Sequence, residues 1–556
     1  MGNDFFAKLS HGKLVLALVV LSYIFLMFGN GIISLTHPDE VFYIQTAKEM
    51  MTHKSWMTPY IFDQPQFEKP IFSYWLFIFA LKIFGFTPFA ARFAPAFFGI
   101  IGVVATYAIA YMLFQNKRLA FLSGVILTTS FIYIALSRAV LTDMIFSILV
   151  VLSLGAFYWG YINKEKRSLG VLACFAFSGV AVLAKGLLGF VFPAGIIGAF
   201  LIYKKDGAYF KRGSTLLGIL IFAAIAIPWH VLMWKLYGYQ FIDEYWHNDH
   251  LRRIFEAEHM KSNTWYFYLG TMIGGLFPWT LFFLAAIFTA FKNFYRESLQ
   301  KEKLVFLLFW VSVVFIVVQS AQSKLASYIF PVFPALAIVL ARYFENAFGT
   351  NADQPAQRSI KIISRIMASA FFLAPFAIII LSKKYSNLID DMVPIYVFSF
   401  LALIIASLLF VFAKKPRVVF AVVCCVTVAV LAIFFLGRGS AEPWVSCRHI
   451  SEELNAVNRA DSTVICSKFY SRGVRFYTDR PIAVMDMNGK GFFSPHPVPM
   501  FHNDDQVFAF LNTQDRTFAI VKKSDFENLK RISQGQFSLE LIKEIGGKYL
   551  LKIEKQ

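Results

Sequence analysis

Long, uninterrupted runs of apolar residues dominate this chain and alternate with short polar segments. Each run is long enough to cross about 30 Å of hydrocarbon as a helix. They fall at 14–35, 90–114, 119–137, 143–162, 168–184, 187–203, 214–236, 265–291, 304–320, 325–345, 361–382, 393–413 and 417–437. The pattern predicts a mainly α, polytopic membrane protein with about thirteen transmembrane helices, the first of them an uncleaved signal anchor.

One more apolar run, 71–87, is short and contains Lys82. The positive-inside rule decides its place. If this run does not cross, the basic clusters of the short loops all fall on the same side as the N-terminus, from Lys8 and Lys13 to the cluster at 414–417. We therefore predict an interfacial or re-entrant helix over 71–87 and a cytoplasmic N-terminus.

This topology predicts two large outer loops, 36–89 and 237–264, and an outer tail. Segments 462–466, 481–486, 517–522 and 547–553 of the tail have strand-like patterns, and 446–458 and 524–533 have helical ones. We therefore predict a transmembrane domain over 1–437 and a small periplasmic α/β domain over 438–556. Cys447 and Cys466 lie in this tail and could pair if it is extracytoplasmic.

The composition supports a membrane protein and excludes several other classes. Of the 556 residues, 58% are hydrophobic and only 16% are charged, against about 25% charged in soluble proteins. A soluble enzyme, a nucleic-acid binder and a disordered chain are excluded, because water-soluble surfaces cannot hide so much apolar side chain. The net charge of +19 therefore does not indicate nucleic acid. No phosphate-cradling glycine loop or G-x-S-x-G elbow is present.

Ionisable residues concentrate in the predicted outer loops. Asp39 and Glu40 begin the first of them, where an acidic helical turn is the simple explanation. Further charged or polar residues of the outer loops that stand out are Glu68, Lys69, Arg92, Asp143, Lys185, Arg252, Arg253, Lys324 and Tyr328. Together they place carboxylates and cations at one face of the membrane. Such a set suits a phosphate-bearing lipid substrate, because cations neutralise a phosphate leaving group and a carboxylate acts on an acceptor.

The second outer loop also contains a weak metal-binding candidate. His247 and His250 are spaced to share one helical face, and His259 follows nearby. This is only a loose match to a zinc site, and polar contacts to substrate or loop are the simpler interpretation. The sequence itself requires no cofactor and leaves a divalent metal open.

The chain resembles the polytopic GT-C glycosyltransferases that use polyprenyl-phosphate sugars. It is most similar to the bacterial aminoarabinose (lipid A) transferases, which are related to protein O-mannosyltransferases. The matching motifs, in family order, are P-D-E-V-F-Y at 38–43, F-E-K-P at 67–70, Y-W-L at 74–76, F-A-A-R at 89–92, L-T-D-M at 141–144, L-A-K-G at 183–186, P-W at 228–229 and S-K-L-A-S-Y-I-F-P-V-F-P-A-L at 323–336.

The resemblance implies roles for several residues. Asp39 corresponds to the catalytic carboxylate that acts as base or orients the acceptor, and Asp143 to a second acid of the cavity. Glu68 and Lys69 correspond to the pair beside the lipid phosphate, which Lys69 contacts directly. Tyr328 corresponds to a phosphate-contacting tyrosine. The remaining candidates are Glu40 for catalysis and Tyr43, Arg252, Arg253 and Lys324 for donor binding.

One position departs from the family pattern. Aminoarabinose transferases usually carry Arg before the motif tyrosine, where this chain has Phe42. One phosphate cation is therefore missing, unless Arg252, Arg253 or Lys324 replaces it. The departure concerns the donor sugar more than the type of reaction.

The function implied is a glycosyltransferase of the bacterial inner membrane, embedded in the lipid bilayer. It would move a sugar, with 4-amino-4-deoxy-L-arabinose as the leading candidate, from undecaprenyl phosphate to a lipid A phosphate at the periplasmic face, with inversion. One alternative is transfer to a protein or another glycan. An alternative from another class is a lipid transporter or flippase, which would place charges along a transmembrane path instead of at one face.

Overall fold

The computed structural model describes residues 5–210, 213–257, 262–293, 301–348, 353–384, 393–457, 462–487, 498–533 and 535–556. The described residues up to 445 form a bundle of helices. The helices are α1 (Phe5–Lys8), α2 (His11–Ser22), α3 (Asp39–Thr52), α4 (Phe72–Phe84), α5 (Pro88–Phe114), α6 (Lys117–Thr128), α7 (Phe131–Ser137), α8 (Thr142–Ile162), α9 (Arg167–Lys185), α10 (Leu188–Lys204), α11 (Gly213–Tyr237), α12 (Tyr239–Phe241), α13 (Arg253–Phe255), α14 (Phe267–Gly275), α15 (Thr280–Asn293), α16 (Lys301–Ser320), α17 (Phe333–Phe348), α18 (Gln354–Lys384), α19 (Val393–Phe412) and α20 (Pro416–Val445).

Shorter helical segments of other types join these helices. Residues Tyr23–Met27 and Ile242–Arg252 are π-helical, and Lys164–Lys166, Gly207–Phe210 and Ala326–Val332 are 3₁₀-helical. A small hairpin of β1 (Tyr60–Ile61) and β2 (Gln64–Pro65) interrupts the segment between α3 and α4.

Within the described residues, nine helices are long and apolar enough to cross a membrane. The number rises to eleven if two bent pairs, Lys117–Thr128 with Phe131–Ser137 and Phe267–Gly275 with Thr280–Ala290, each form one span. The remaining apolar helices are shorter: His11–Met27, Phe72–Phe84 and Leu188–Lys204. The predicted polytopic, mainly α fold is confirmed, and the count of thirteen stays a prediction.

The predicted non-crossing run forms α4, a helix of 13 residues. At 1.5 Å per residue its length is about 20 Å, less than the hydrocarbon thickness. It ends at Gly85, whose φ of 73° is a left-handed conformation that glycine adopts readily. Helix α5 begins three residues later at Pro88, with Thr87 as its N-cap.

The C-terminal part contains a six-stranded sheet in the order β5-β4-β3-β6-β8-β7. The strands β3 (Val464–Ser467), β4 (Ile482–Met485), β5 (Met500–Phe501) and β6 (Arg516–Val521) run parallel, and the hairpin of β7 (Phe537–Ile545) and β8 (Lys548–Lys555) adds antiparallel to β6. Its helices are α21 (Arg448–Val457), α22 (Ser471–Thr478), α23 (Asp504–Asn512) and α24 (Lys523–Ile532).

Alternate residues of each strand point to opposite faces of this sheet, and each face is covered by helices. Ile465 and Ala519 pack on the side of α23 and α24, whereas Cys466 and Ile520 pack on the side of α21 and α22. Strands β3, β4, β6 and β8 and helices α21 and α24 overlap the elements expected from the sequence. Elements α22, α23, β5 and β7 were not predicted.

The two tail cysteines lie on the same side of the sheet, in one apolar cluster. Both are fully buried and both are free thiols in the structure. Burial raises the pKa of the Cys447 thiol to about 12, so it remains protonated at neutral pH. Its sulfur lies 3.5 Å from Nδ1 of His37, in the segment before α3.

Candidate functional site

Several charged side chains meet at one end of the helical bundle. There α8 begins at Thr142, α9 ends at Lys185 and the Ala326–Val332 segment leads into α17. We call this the charged end. Two further segments reach the charged end. Lys69 of the 53–71 segment forms an ion pair there with Asp249 of the π-helical Ile242–Arg252 segment.

Lys69 is bound on both carboxylate oxygens of Asp249. Its Nζ donates to Oδ1 at 2.9 Å and to Oδ2 at 2.8 Å, and also to the Glu68 carbonyl at 2.8 Å. The Arg253 guanidinium lies 3.0 Å from Oδ1 of the same carboxylate. The side chains of Lys69 and Asp249 are only 10% and 5% exposed, so both charges depend on these partners.

The electrostatic environment keeps Asp249 ionised. Burial by itself would raise the pKa of this carboxyl, but the charges of Arg253 and Lys69 outweigh it and lower the pKa to about 2. His250, the next residue, is also buried, and burial lowers its pKa despite the nearby carboxylate. At neutral pH the loop therefore carries a carboxylate beside an uncharged imidazole.

Tyr328 lies between the Lys69–Asp249–Arg253 group and a second ion pair. The Arg253 guanidinium donates to the Tyr328 hydroxyl oxygen at 2.8 Å, and Nζ of Lys185 lies 4.5 Å from the centre of the tyrosine ring. Lys185 in turn donates to the Asp143 carboxylate, and both side chains are at most 10% exposed. We call these six residues the ion-pair network: Lys69, Asp143, Lys185, Asp249, Arg253 and Tyr328.

Gly186 allows the chain to turn sharply after Lys185. Its φ is 124°, a conformation that a residue with a side chain adopts only with strain. A Cβ here would lie 2.5 Å from Nε2 of His250. The glycine thus lets α9 end directly against the Ile242–Arg252 segment, which brings Lys185 and Asp249 to the same region.

Asp39 lies in the first turn of α3 and is exposed. Tyr43, one turn later, is buried, and burial raises its pKa well above the usual value, with further contributions from the charges of Asp143, Asp39 and Glu68. Asp39 and Tyr43 are four residues apart in α3, so they lie on the same side of this helix.

Glu40 has a different environment from its neighbour. Its side chain is 5% exposed and receives two hydrogen bonds from Arg92, from Nε at 2.8 Å and from a terminal nitrogen at 2.5 Å. Burial would raise the pKa of Glu40, but Arg92 and the backbone N–H groups of Thr36 and Val140 lower it instead. Glu40 thus joins the start of α3 to α5.

The remaining residues proposed from the sequence have the following side-chain contacts. Arg252 pairs with Glu256 at 2.7 Å in an exposed position. Lys324 donates to Asn263 Oδ1 at 2.6 Å. Glu68 is 15% exposed and lies 3.6 Å from Arg472 of the C-terminal part.

The histidines of the second loop do not form a metal site in the part of the chain that the structure describes. No group of three or more His, Cys, Asp or Glu side chains there could hold a metal ion, and His259 lies outside the described residues. His247 is 48% exposed and pairs with Asp243, whereas Nδ1 of His250 donates to the Tyr245 carbonyl at 2.7 Å. The expected shared face is absent because this segment is π-helical, which changes the angular spacing of its residues.

Asp249 was not singled out from the sequence, and Lys185 was named among the outer-loop charges and in the L-A-K-G motif without an assigned role. Asp249 stands among several other polar residues in its loop, and Lys185 sits where a tight turn between two apolar runs explains it. The sequence feature that could have identified both residues is the energetic cost of burying an ionisable side chain at a membrane boundary, which indicates a function. Their pairing with Lys69 and Asp143, 180 and 42 residues away, has no local sequence pattern.

The chain is similar to several known proteins. The family model for dolichyl-phosphate-mannose-protein mannosyltransferases matches residues 13–246. An uncharacterized protein of Aquifex aeolicus is 28% identical over 384 residues, which are 69% of this chain and 73% of that protein. An undecaprenyl phosphate-alpha-4-amino-4-deoxy-L-arabinose arabinosyl transferase of Proteus mirabilis is 27% identical over 341 residues, and the match spans 60% of this chain and 59% of that relative's length.

Similar solved structures extend the similarity to the whole fold. ArnT from Cupriavidus metallidurans, crystallised with undecaprenyl phosphate, superposes with a TM-score of 0.78 and 20% sequence identity over 98% of both chains. Its apo form gives a TM-score of 0.75 over 97% of both chains. The fold is therefore that of ArnT. The resemblance to the aminoarabinose transferases, inferred from the motifs, is confirmed.

Proposed function

We propose that this protein transfers a sugar, 4-amino-4-deoxy-L-arabinose as the leading candidate, from undecaprenyl phosphate to a lipid A phosphate. The reaction would take place at the periplasmic face of the bacterial inner membrane. The observation that carries the proposal is the ion-pair network, in which Lys69, Lys185, Arg253 and the Tyr328 hydroxyl converge at one end of the bundle. Such a group suits a lipid phosphate at the membrane boundary.

The proposed reaction is a displacement at the anomeric carbon with inversion. An oxygen of the acceptor forms the new bond as the bond to the undecaprenyl phosphate oxygen breaks, and both electrons of that bond leave with the phosphate. The leaving group is a stable anion, so neutralisation by Lys69 and Arg253 contributes more than protonation. A lipid A phosphate is already ionised at neutral pH, and the exposed Asp39 would then orient the acceptor instead of deprotonating it.

An apolar cavity at Glu40, which is not lined by the ion-pair network, supports a lipid substrate. It has a volume of about 450 Å³ and lies between the Glu40–Arg92 pair and the α20 residues Phe434 and Phe435, with Arg138 in its wall. An acyl chain would occupy such a cavity because its lining is almost entirely apolar. Its polar end lies at the start of α3, one residue from Asp39.

A second candidate function is transfer to a protein hydroxyl. The match to the mannosyltransferase family over residues 13–246 favours it. A hydroxyl acceptor must lose a proton in the reaction, so Asp39 would act as the general base. A flippase has less support, because the ion-pair network lies at helix ends and not along a path through the bundle.

The test is transfer by the purified protein in lipid nanodiscs with undecaprenyl phosphate–aminoarabinose as donor. Lipid A and a Ser/Thr-rich peptide would be offered in separate reactions and the products identified by mass spectrometry. We expect aminoarabinose on lipid A and none on the peptide. A labelled peptide with unmodified lipid A would replace the first function by the second.

A further inference from the structure

Helix α22 of the C-terminal part packs directly on the first outer loop, which carries Glu68 and Lys69. We call the surroundings of Lys69, Arg253 and Glu68 the donor site. Asp479 pairs with Lys48 of α3 at 2.6 Å, and Arg475 lies 3.0 Å from Asp63. We call these two the rim pairs, because their aspartates Asp479 and Asp63 are 66% and 60% exposed, although the Arg475 side chain itself is 15% exposed. The Tyr477 hydroxyl also donates to the Leu35 carbonyl at 3.0 Å.

The third ion pair of α22 differs from the rim pairs because both of its side chains are largely buried. The Arg472 guanidinium lies 3.6 Å from the Glu68 carboxylate, with side-chain exposures of 13% and 15%. The same guanidinium lies 4.3 Å from the centre of the Phe42 ring, a distance typical of a cation–π contact. Arg472 thus reaches from the C-terminal sheet to the residue that precedes Lys69.

The charges around the donor site show why this contact matters. Among the described residues, Asp249 pairs with Lys69 and Arg253, Asp143 pairs with Lys185, and Glu68 pairs with Arg472. A Glu68 carboxylate without its cation would oppose the binding of an anionic phosphodiester in a site of low dielectric. Arg472 supplies a fourth positive charge beside Glu68.

We propose that Arg472 is a positioning residue of the donor site, which neutralises and orients Glu68 so that the site accepts an anionic lipid phosphate. The C-terminal part is then required for donor binding through one defined contact. Phe42 provides the flat surface on which the guanidinium rests. This inference rests on the proposed function, since it assumes a polyprenyl-phosphate donor.

The experiment compares Arg472→Met with Arg472→Lys and with the double variant Glu68→Gln/Arg472→Met. The readouts are binding of undecaprenyl phosphate itself to the purified full chain, and kcat and donor KM of transfer. We expect Arg472→Met to weaken binding and raise KM by roughly 10- to 100-fold, with a smaller change in kcat, because an unpaired buried carboxylate repels the donor phosphate. Arg472→Lys should retain most of the affinity.

The double variant separates charge neutralisation from simple domain attachment. Removing the Glu68 charge should bring donor affinity back to within about 3-fold of the Glu68→Gln single variant, because no carboxylate then needs a partner. The matched controls are Lys48→Met and Asp63→Asn, each of which removes one charge of a rim pair of α22 at a more exposed side chain. We expect both to bind the donor lipid within about 2-fold of the wild type, as exposed pairs contribute little.

The outcomes distinguish this inference from the proposed function. Wild-type affinity in Arg472→Met, or no recovery in the double variant, would overturn the inference while wild-type transfer keeps the proposed function. Equal losses in Arg472→Met and the rim variants would show that α22 acts only as an attachment. A wild-type chain that binds no undecaprenyl phosphate would overturn both.

Discussion

Lys69 and Asp249 are 180 residues apart in the chain, yet the lysine Nζ lies within 2.9 Å of both oxygens of the aspartate carboxylate. Arg253 shares that carboxylate at 3.0 Å. One buried anion therefore holds two cations side by side at the charged end. Under the proposed function a donor phosphate would engage both cations, and Asp249 would hold them in place when no donor is bound.

Replacing Lys69 by Ala should reduce transfer by about 10- to 150-fold, because a charge-assisted contact to the donor phosphate is lost. The fold should survive, since Arg253 still pairs with Asp249. The measurement is turnover of the purified variant together with its melting temperature. Lys204→Ala, which removes an exposed ion pair with Glu302, is the control and should be fully active. Wild-type turnover in Lys69→Ala would reduce the motif lysine to a structural role.

Asp249 should make stability depend on pH in the acid range. Its pKa is about 2 in the folded protein against an ordinary 3.8, so the folded state favours the ionised form. This contribution, about 2 kcal/mol, is fully present above the unfolded pKa and is lost as the pH falls through about 4 towards 2. The difference in melting temperature between wild type and Asp249→Asn should stay constant from pH 5 to 8 and shrink below pH 4. A constant difference down to pH 2 would contradict the assignment.

The neighbours Asp39 and Glu40 should have separable roles. We expect Asp39→Asn to abolish transfer while undecaprenyl phosphate still binds, because the exposed carboxylate acts on the acceptor and not on the donor. Glu40→Gln should instead lower stability by about 3 kcal/mol, since Arg92 loses its buried partner, and the folded fraction should keep most of its turnover. Turnover, donor binding and thermal unfolding of both variants test this. A dead Glu40→Gln enzyme with normal stability beside an active Asp39→Asn would reverse the roles.

Gly186→Ala should impair transfer at least about 10-fold. The new methyl group would be strained by the positive φ and would displace His250, so Lys185 and the Ile242–Arg252 segment could not keep their positions. Gly198→Ala in α10 is the matched control, because nothing lies within 4 Å of its Cβ position. Kinetic assays of the two variants side by side give the comparison. Equal activity would show that the turn after α9 tolerates a side chain.

Membrane topology gives a prediction that does not depend on catalysis. If 71–87 does not cross the membrane, an even number of crossings separates the N-terminus from each basic loop. All basic loops then lie on the cytoplasmic side, as the positive-inside rule requires. Reporter fusions after residues 116, 140 and 445 should report inside, outside and outside. An inside signal at 445 would place the C-terminal sheet in the cytoplasm and would contradict this topology.

The sequence by itself determined the membrane class, most of the long helices and much of the C-terminal sheet. Apolar runs of about 20 residues have few stable forms other than a spanning helix, and the strand over Val464–Ser467 follows from its apolar run. The motifs also pointed to Lys69, Asp143 and Tyr328, because charged or polar residues at a membrane boundary are costly without a function. These inferences depend on local pattern and on residue chemistry.

Only the tertiary structure decided which of these side chains act on one another. Lys69 pairs with Asp249, Asp143 with Lys185, and Glu68 with Arg472. Likewise, the contrast between a buried Glu40 and an exposed Asp39 comes from the position of Arg92 on α5. No local pattern encodes such pairs, because electrostatic interaction depends on distance in space and on burial, and both are set by how the helices and the C-terminal sheet pack together.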